Sequence, residues 1–335
     1  MGLVNLTTKY GHAMKAIRFS QTGGPEVLEY VDVDLPPPGP GQVRVRHTVI
    51  GVNFIDTYHR SGLYKLPLPS GLGSEAAGVV EAAGDGVTTL KAGDRVAYAG
   101  AMGAYSQANN IPADRLVKIP AGISDETAAA AMLKGMTAQY LLKRTFPVQA
   151  GQTIVFHSAA GGVGLIGGQW ARHLGVRVIG TVGHADKTDL AKANGYAHVL
   201  NSREAGWPKQ VRELTGGVGV PVVYDSIGKE TFAGSLDALA VRGMLVSFGN
   251  SSGAVPAFEP GILSAKGSLY VTRPTLASYT RNAQELQETA DDLFAVIASG
   301  AVKITVNQHF KLSEARKAHE ALHSRTTTGA TVLIP

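Results

Sequence analysis

The sequence predicts an α/β protein in which a β-rich part carries an inserted, doubly wound parallel sheet, and three observations support this. The apolar run Thr153-Ile154-Val155-Phe156-His157 breaks into Ser158-Ala159-Ala160-Gly161-Gly162-Val163-Gly164 and then resumes with helical spacing. Downstream, short apolar runs alternate with helix-length segments, as parallel strands joined by crossover helices do. Upstream, period-two runs separated by proline- and glycine-rich loops read as half-buried strands.

Residues 1–13 lack the apolar stretch of a signal peptide and are expected to be an extension before Met14. Lys15 to Phe19 and Gln42 to Val49 alternate on either side of the Pro36-Pro37-Pro38-Gly39-Pro40-Gly41 loop, and Val79 to Ala83 continues the pattern before Gly84-Asp85-Gly86. After Ile119-Pro120-Ala121-Gly122, the residues Ser124, Asp125 and Glu126 offer an N-cap and an acidic first turn to an alanine-rich helix running towards Met132. Strands follow at Thr153 to His157, Val176 to Thr181, Ala197 to Leu200, Pro221 to Asp225 and Gly243 to Phe248, with helices between them. Helices near Asn282 to Ser299 and Ser313 to Ser324 precede a last strand, Ala330 to Ile334, expected to rejoin the first part.

The glycine turn reads as a dinucleotide site. Gly161, Gly162 and Gly164 let the backbone turn tightly and approach a pyrophosphate at a helix N-terminus, with Ala159 standing where G-x-G-x-x-G has its first glycine. The helix pattern runs through Leu165, Ile166, Trp170 and Leu174 to Gly175, and the next strand completes a βαβ unit. A carboxylate for a ribose 2′-hydroxyl is expected about 20 residues beyond the glycines. The second strand instead ends Thr181-Val182-Gly183-His184. Gly183 leaves room for a 2′-phosphate that Lys187 could neutralise, which favours NADPH over NADH, with Asp186 weighing slightly the other way. The competing reading is a glycine-rich turn that binds no nucleotide.

A chain of 335 residues is long enough for about two domains. Its 44% hydrophobic and 17% charged content is that of a globular enzyme. No apolar segment approaches the roughly 18 residues of a membrane span. The absence of cysteine excludes disulfides, thiolate nucleophiles and cysteine-ligated metals, and the chain is expected to be cytoplasmic. A net charge of +5 without a basic run suits an anionic cofactor and argues against nucleic acid as a partner.

Taken together, Gly23-Gly24-Pro25-Glu26-Val27-Leu28, Gly51-Val52-Asn53-Phe54-Ile55-Asp56-Thr57-Tyr58, Gly71-Leu72-Gly73-Ser74-Glu75-Ala76-Ala77-Gly78, the turn at Ala159 to Gly164, and Val246-Ser247-Phe248-Gly249-Asn250 resemble the zinc-independent quinone oxidoreductases. These form the zeta-crystallin-like branch of the medium-chain dehydrogenase/reductase superfamily, and the resemblance runs from Met14 to Pro335. It implies a discontinuous GroES-like catalytic domain of residues 14–135 and 275–335, an inserted Rossmann NADPH-binding domain of residues 136–274, and the cofactor in a cleft between them. It also implies a homodimer pairing its Rossmann edges near Gly267 to Thr272. Zinc-dependent relatives place a cysteine near the position of Asn53 and a histidine before the glutamate of Gly-His-Glu; this chain has Asn53 and Gly73-Ser74-Glu75, so no metal is expected.

By the same resemblance the cofactor contacts fall on Asn53, Phe54, Ile55, Asp56, Thr57 and Tyr58, then on Thr137 and Tyr140. In the nucleotide half they fall on Gly161, Gly162, Val163 and Gly164, on Gly183, His184 and Lys187, and on Ser202 and Ser226. Phe248, Gly249, Asn250, Ser251, Val271, Thr272, Arg273 and Arg325 complete the set. Relatives often carry a tyrosine at the adenosine end where Ser202 stands between Asn201 and Arg203. Catalysis requires hydride transfer from the nicotinamide to a quinone and protonation of the oxyanion. Tyr58 is the candidate for orienting the quinone or donating the proton and Asn53 for binding a carbonyl oxygen, against a packed core tyrosine and protonation by water. The neighbouring activity is enoyl or alkenal reduction; a nucleotide-sensing RNA-binding role is the reading from another class.

Three further signals carry competing readings. His319-Glu320-Ala321-Leu322-His323 matches H-E-x-x-H, but no third ligand follows before the C-terminus, Glu285 and Glu288 being the distant alternatives, and the resemblance places it on an outer helix. His157 is expected to be packed or hydrogen-bonded rather than a catalytic base. Arg273 reads equally as a cofactor charge or a domain-junction ion pair.

Overall fold

The computed structural model describes residues 12–335. The extension expected at 1–13 therefore lies outside the described residues through position 11. In chain order the strands are β1 (His12–Phe19), β2 (Glu29–Leu35), β3 (Gln42–Val52), β4 (Ser70–Gly71), β5 (Glu75–Ala83), β6 (Arg95–Ala99), β7 (Ala108–Pro112), β8 (Val117–Lys118), β9 (Thr153–Phe156), β10 (Arg177–Val182), β11 (Tyr196–Asn201), β12 (Val220–Asp225), β13 (Leu239–Ser247), β14 (Tyr270–Thr272), β15 (Val306–Lys311) and β16 (Ala330–Ile334). The helices are α1 (Phe54–Ser61), α2 (Asp125–Tyr140), α3 (Gly162–His173), α4 (Thr188–Ala193), α5 (Trp207–Leu214), α6 (Phe232–Ala238), α7 (Gly261–Ala265), α8 (Ala283–Ala298) and α9 (Ala315–His323). They form two compact units. One takes the described chain to Leu133 together with Thr280–Phe294 and Ile304–Pro335, and the other takes Lys134–Tyr279 with Ala295–Lys303.

The first unit is built on a sheet of order β15-β16-β3-β5-β6-β8, with β7 also pairing β3, and a smaller sheet β2-β1-β4. The last strand pairs β3 antiparallel, Val332 opposite Gly51 and Leu333 opposite Ile50. Along β3 Val43 and Val45 and, beyond a register shift between His47 and Val49, Ile50 are buried in one core with Leu72, Tyr98, Tyr105 and Leu333. At the β3–β5 crossing Gly78 is required, because a Cβ there would stand 2.1 Å from the Arg46 carbonyl oxygen.

The second unit holds one parallel sheet of order β11-β10-β9-β12-β13-β14. Read by sequence rank within the unit this is 3-2-1-4-5-6, the doubly wound order in which the strand order, not the direction, reverses beside the first strand. Ile154, Val155 and Phe156 are buried on both faces, which explains the unbroken apolar run. Helix α3 lies close on the sheet because its side lacks bulk: a Cβ on Gly167 would meet the Phe156 ring at 2.8 Å and one on Gly168 the Tyr196 ring at 2.3 Å.

Several elements differ from the sequence expectation. Ser124 does cap α2, its Oγ accepting from Thr127 N at 3.1 Å, but the helix continues past Met132 to Tyr140. Ala128 to Met132, Met136 and Tyr140 are all buried, so no polar face marks where it stops. Strand β5 begins at Glu75 and β3 runs on to Val52. The strands β2, β6 and β7 had no expected counterpart, although in β2 Val31, Val33 and Leu35 alternate with Asp32 and Asp34 and Leu35 packs with Met14 and Ala108.

Candidate functional site

In the second unit the site grows from the carboxyl ends of β9, β10 and β12. Ser158, directly after the first strand's extension through His157, takes a left-handed conformation at φ 54°. Its carbonyl oxygen accepts from Gly161 N at 2.9 Å, and a Cβ on Gly164 would sit 2.1 Å from that same oxygen. The turn is thus pinned by one carbonyl, beside which position 164 has room only for glycine. Helix α3 starts at Gly162 with Gly161 as N-cap and no side-chain oxygen capping it. Its first N–H groups are consequently left to an anion, as a pyrophosphate site requires. Ser226 donates to Ser158 Oγ at 3.0 Å, and Gly249 lies so close to Ser226 that a Cβ would meet its carbonyl oxygen at 2.5 Å. Ser251 N donates to Ser226 O at 3.2 Å, which closes the Phe248 to Ser251 loop over the strand end. These residues fit a dinucleotide.

Beneath the turn lies a buried polar hub that the sequence did not announce. Asp225, at the end of β12, accepts from Ile227 N, Gly228 N, Thr231 Oγ1 and Ser235 Oγ at 2.7–3.0 Å. His157 donates from Nε2 to Ser235 Oγ (2.9 Å) and accepts at Nδ1 from Thr181 Oγ1 (2.6 Å), so it links the ends of β9, β10 and β12 as a neutral, packed ring. Burial holds it below the ordinary histidine range, against a smaller upward pull from Asp225.

At the tip of β10 Gly183 has open space: a Cβ there would meet nothing nearer than Arg203 Nε at 3.7 Å. His184 and Asp186 are exposed, and Lys187 ends a short 3-10 turn beginning at Ala185. Ser202 turns back, its Oγ donating to Val182 O at 3.3 Å. Elsewhere in this unit Tyr140 stacks on Tyr279 at 4.5 Å between ring centres, with Thr137 bonding its hydroxyl, and burial raises its pKa. Val271 and Thr272 lie in β14 opposite Leu245 and Val246, and Phe248 packs on Phe156 at 5.8 Å. Arg273 donates to Ser247 O at 2.7 Å.

In the first unit Asn53 caps α1. Its backbone N donates to Asp56 Oδ2 at 2.8 Å, while its Nδ2 donates to Glu75 Oε2 at 2.7 Å. Glu75 Oε1 accepts from Leu133 N at 2.6 Å, and Gly51 is needed beside it because a Cβ would stand 2.2 Å from Oε2. The buried hydroxyl of Ser74 has no hydrogen-bond partner among the described residues. Tyr58 is 9% exposed and packs edge-on against Tyr64 at 5.2 Å, with Phe54 at 6.4 Å. Ile55 is half-buried, and Thr57 Oγ1 donates to Phe54 O at 2.6 Å. Asp56 is fully buried, so its carboxylate serves the helix cap and Tyr105. Arg325 follows α9 in a left-handed conformation at φ 58°.

The H-E-x-x-H segment is corrected in one respect: α9 is not simply an outer helix, because His319 points fully inward while Glu320 and His323 are exposed. Arg60 donates to His319 Nδ1 (3.0 Å), His319 Nε2–H to the Tyr105 oxygen (3.1 Å), and the Tyr105 hydroxyl to Asp56 Oδ2 (3.0 Å). Burial, then the charge of Arg60, pushes His319 down to about 3. His47, fully buried between Ser106 O and the Tyr98 hydroxyl, is pushed down to about 4 by burial. Both are neutral in the fold, whereas the unfolded chain takes up protons near pH 6.5. Stability is therefore expected to fall as pH drops from about 6.5 to about 4, by about 3 kcal/mol for each of the two histidines. Denaturant midpoints across that range check this, with His47→Gln expected to flatten the slope; a midpoint independent of pH there would contradict it.

A doubly wound sheet with a glycine turn after its first strand, joined to a β unit that the chain's end rejoins, is the architecture of the medium-chain dehydrogenases/reductases. The zinc-binding dehydrogenase family matches residues 162–295, and the alcohol dehydrogenase GroES-like domain matches residues 39–121. The quinone oxidoreductase of Pseudomonas aeruginosa is 55% identical over 323 residues, covering 96% of this chain and 99% of the relative. The 2-haloacrylate reductase of a Burkholderia species is 46% identical, covering 93% and 96%. The crystal structure of Escherichia coli quinone oxidoreductase complexed with NADPH is 51% identical, covers 96% of this chain and 100% of that one, and superposes with a TM-score of 0.94. The chain belongs to the quinone oxidoreductase family of this superfamily. Zinc, despite the description of the matching family, does not suit the donors present: cysteine is absent, Glu75 is committed to Asn53 and Leu133 N, and no three His, Asp or Glu side chains converge among the described residues.

Proposed function

We propose that the protein reduces quinones with NADPH and without zinc. The observation that carries this reading is the Ser158–Gly164 turn facing an uncapped helix start, next to a β10 tip that offers Gly183 and no carboxylate. When bound, NADPH supplies the hydride. The chain's own part is to hold and orient. Gly161, Gly162, Val163 and Gly164 take the pyrophosphate on backbone N–H groups, and Gly183, His184 and Lys187 receive the 2′-phosphate with Ser202 beside them. Ser226, Phe248, Gly249, Asn250, Ser251, Val271, Thr272 and Arg273 line the path towards the nicotinamide, together with Thr137 and Tyr140, and Arg325 adds positive charge for the cofactor as Lys187 does. Asn53 offers its amide to a quinone oxygen, with its own orientation fixed by Glu75. Tyr58, flanked by Phe54, Ile55 and Thr57, orients the ring or donates the proton, and Asp56 keeps the cap of α1 in place.

The division into residues 14–135 with 275–335 and residues 136–274 belongs to the same proposal, as does a cytoplasmic location. So does a homodimer through the β14 edge, where Tyr270 is 57% exposed; light scattering at one chain's mass would remove it. A second reading, reduction of an activated carbon–carbon double bond, is favoured by the likeness to the 2-haloacrylate reductase. Purified protein with NADPH, offered a simple quinone and an alkenal in parallel, separates the two. Quinone-dependent loss of NADPH is expected to dominate, with Tyr58→Phe lowering kcat about tenfold or more. Turnover of the alkenal alone would select the second reading, and full turnover by Tyr58→Phe would end the proton-donor role.

A further inference from the structure

We infer that Arg203 is a specificity-determining residue for the adenosine 2′-phosphate. This rests on the NADPH reading above. Strands β10 and β11 run parallel with Val182 opposite Asn201, so the residues after each strand emerge side by side. Ser202 N and Ser202 Oγ both donate to Val182 O, at 2.9 and 3.3 Å, which ties the second chain end to the first. Arg203 N donates to Asn201 Oδ1 at 3.0 Å and fixes the base of the arginine. The guanidinium then lies over Gly183, with Nε 3.7 Å and Cζ 4.0 Å from where a Cβ would be.

The surroundings leave this charge for a ligand. The adjacent Glu204 is hydrogen-bonded to Asn201 Nδ2 at 3.2 Å, and Arg203 has no ion pair among the described residues. The strand tip carries no carboxylate to compete for it. Gly183 leaves the space open, and a planar guanidinium can pair two phosphate oxygens at once, which the point charge of Lys187 cannot do. Lys187 supplies attraction from the following turn; Arg203 supplies the geometry that separates a phosphate from a hydroxyl.

Calorimetric binding of adenosine 2′,5′-bisphosphate and of 5′-AMP to the intact protein, with no acceptor and no turnover, tests this. Wild type is expected to prefer the bisphosphate. Arg203→Ala should weaken the bisphosphate about tenfold or more and leave 5′-AMP within twofold, with Arg203→Lys recovering only part of the loss. Equal losses for both ligands, or none for either, would overturn the assignment. A wild-type protein that binds the two ligands equally would instead overturn the NADPH reading itself, so the two failures are distinguishable.

Discussion

Gly164→Ala is expected to abolish useful NADPH binding while leaving the first unit folded. The added Cβ would stand 2.1 Å from the Ser158 carbonyl oxygen, against backbone that cannot rotate away as a side chain would. Either the turn opens or α3 shifts, and both move the helix N-terminus off the position that meets a pyrophosphate. Losing two N–H contacts to the anion corresponds to about 3 kcal/mol, or roughly a hundredfold in Kd. Gly161→Ala is the internal control: its Cβ would lie 3.2 Å from the same oxygen and Gly161 has an extended backbone, so its effect should be several-fold at most. Fluorescence titration with NADPH ranks the two, and equal affinities for wild type and Gly164→Ala would show that the turn is not the pyrophosphate site.

Asp225→Ala should be the most damaging single change to the second unit. It strips the acceptor from two backbone N–H groups and from the hydroxyls of Thr231 and Ser235, all inside the fold, and it leaves the His157–Ser235 link without an anchor. Unsatisfied buried donors of this kind cost about 3–5 kcal/mol in total. Asp225→Asn retains one oxygen but turns an amide donor towards hydroxyl donors, and should cost about 2 kcal/mol. Urea unfolding measures both, and a loss under 1 kcal/mol for Asp225→Ala would mean that the hub is not a structural anchor of the strand ends.

These two sites also mark what could be read in the sequence. The Gly164 turn was legible because its constraint is local: a buried parallel strand, small residues and a helix pattern follow one another within a dozen positions. The returning strand at Ala330 to Ile334 was legible by its apolar run. The Asp225 hub was not: its direct partners lie within ten residues after it, but no spacing marks that loop as buried, and only the fold brings His157 and Thr181 from the ends of β9 and β10 to Ser235. The left-handed Ser158 was hidden for a related reason: serine gives no sign of a positive φ, and the signal lies in the glycine that must accommodate its carbonyl. H-E-x-x-H misleads in the same way. The i, i+4 spacing puts His319 and His323 near each other along α9, yet one is drawn into a core by Arg60 and Tyr105 and the other faces solvent. Strand β2 does carry a legible period-two run, Val31-Asp32-Val33-Asp34-Leu35, whereas β6 and β7 are only five residues each and take their place by pairing with β5 and β3.

The most direct test of the account is the rate of nicotinamide oxidation by the purified protein, with NADPH and NADH each offered a simple quinone. Quinone-dependent loss of NADPH, with kcat/KM at least about tenfold above that for NADH, is the expected result, since only the phosphorylated cofactor would fill the 2′-phosphate site proposed at Gly183, Lys187 and Arg203. No quinone-dependent loss of NADPH, although the protein binds it, would contradict the account.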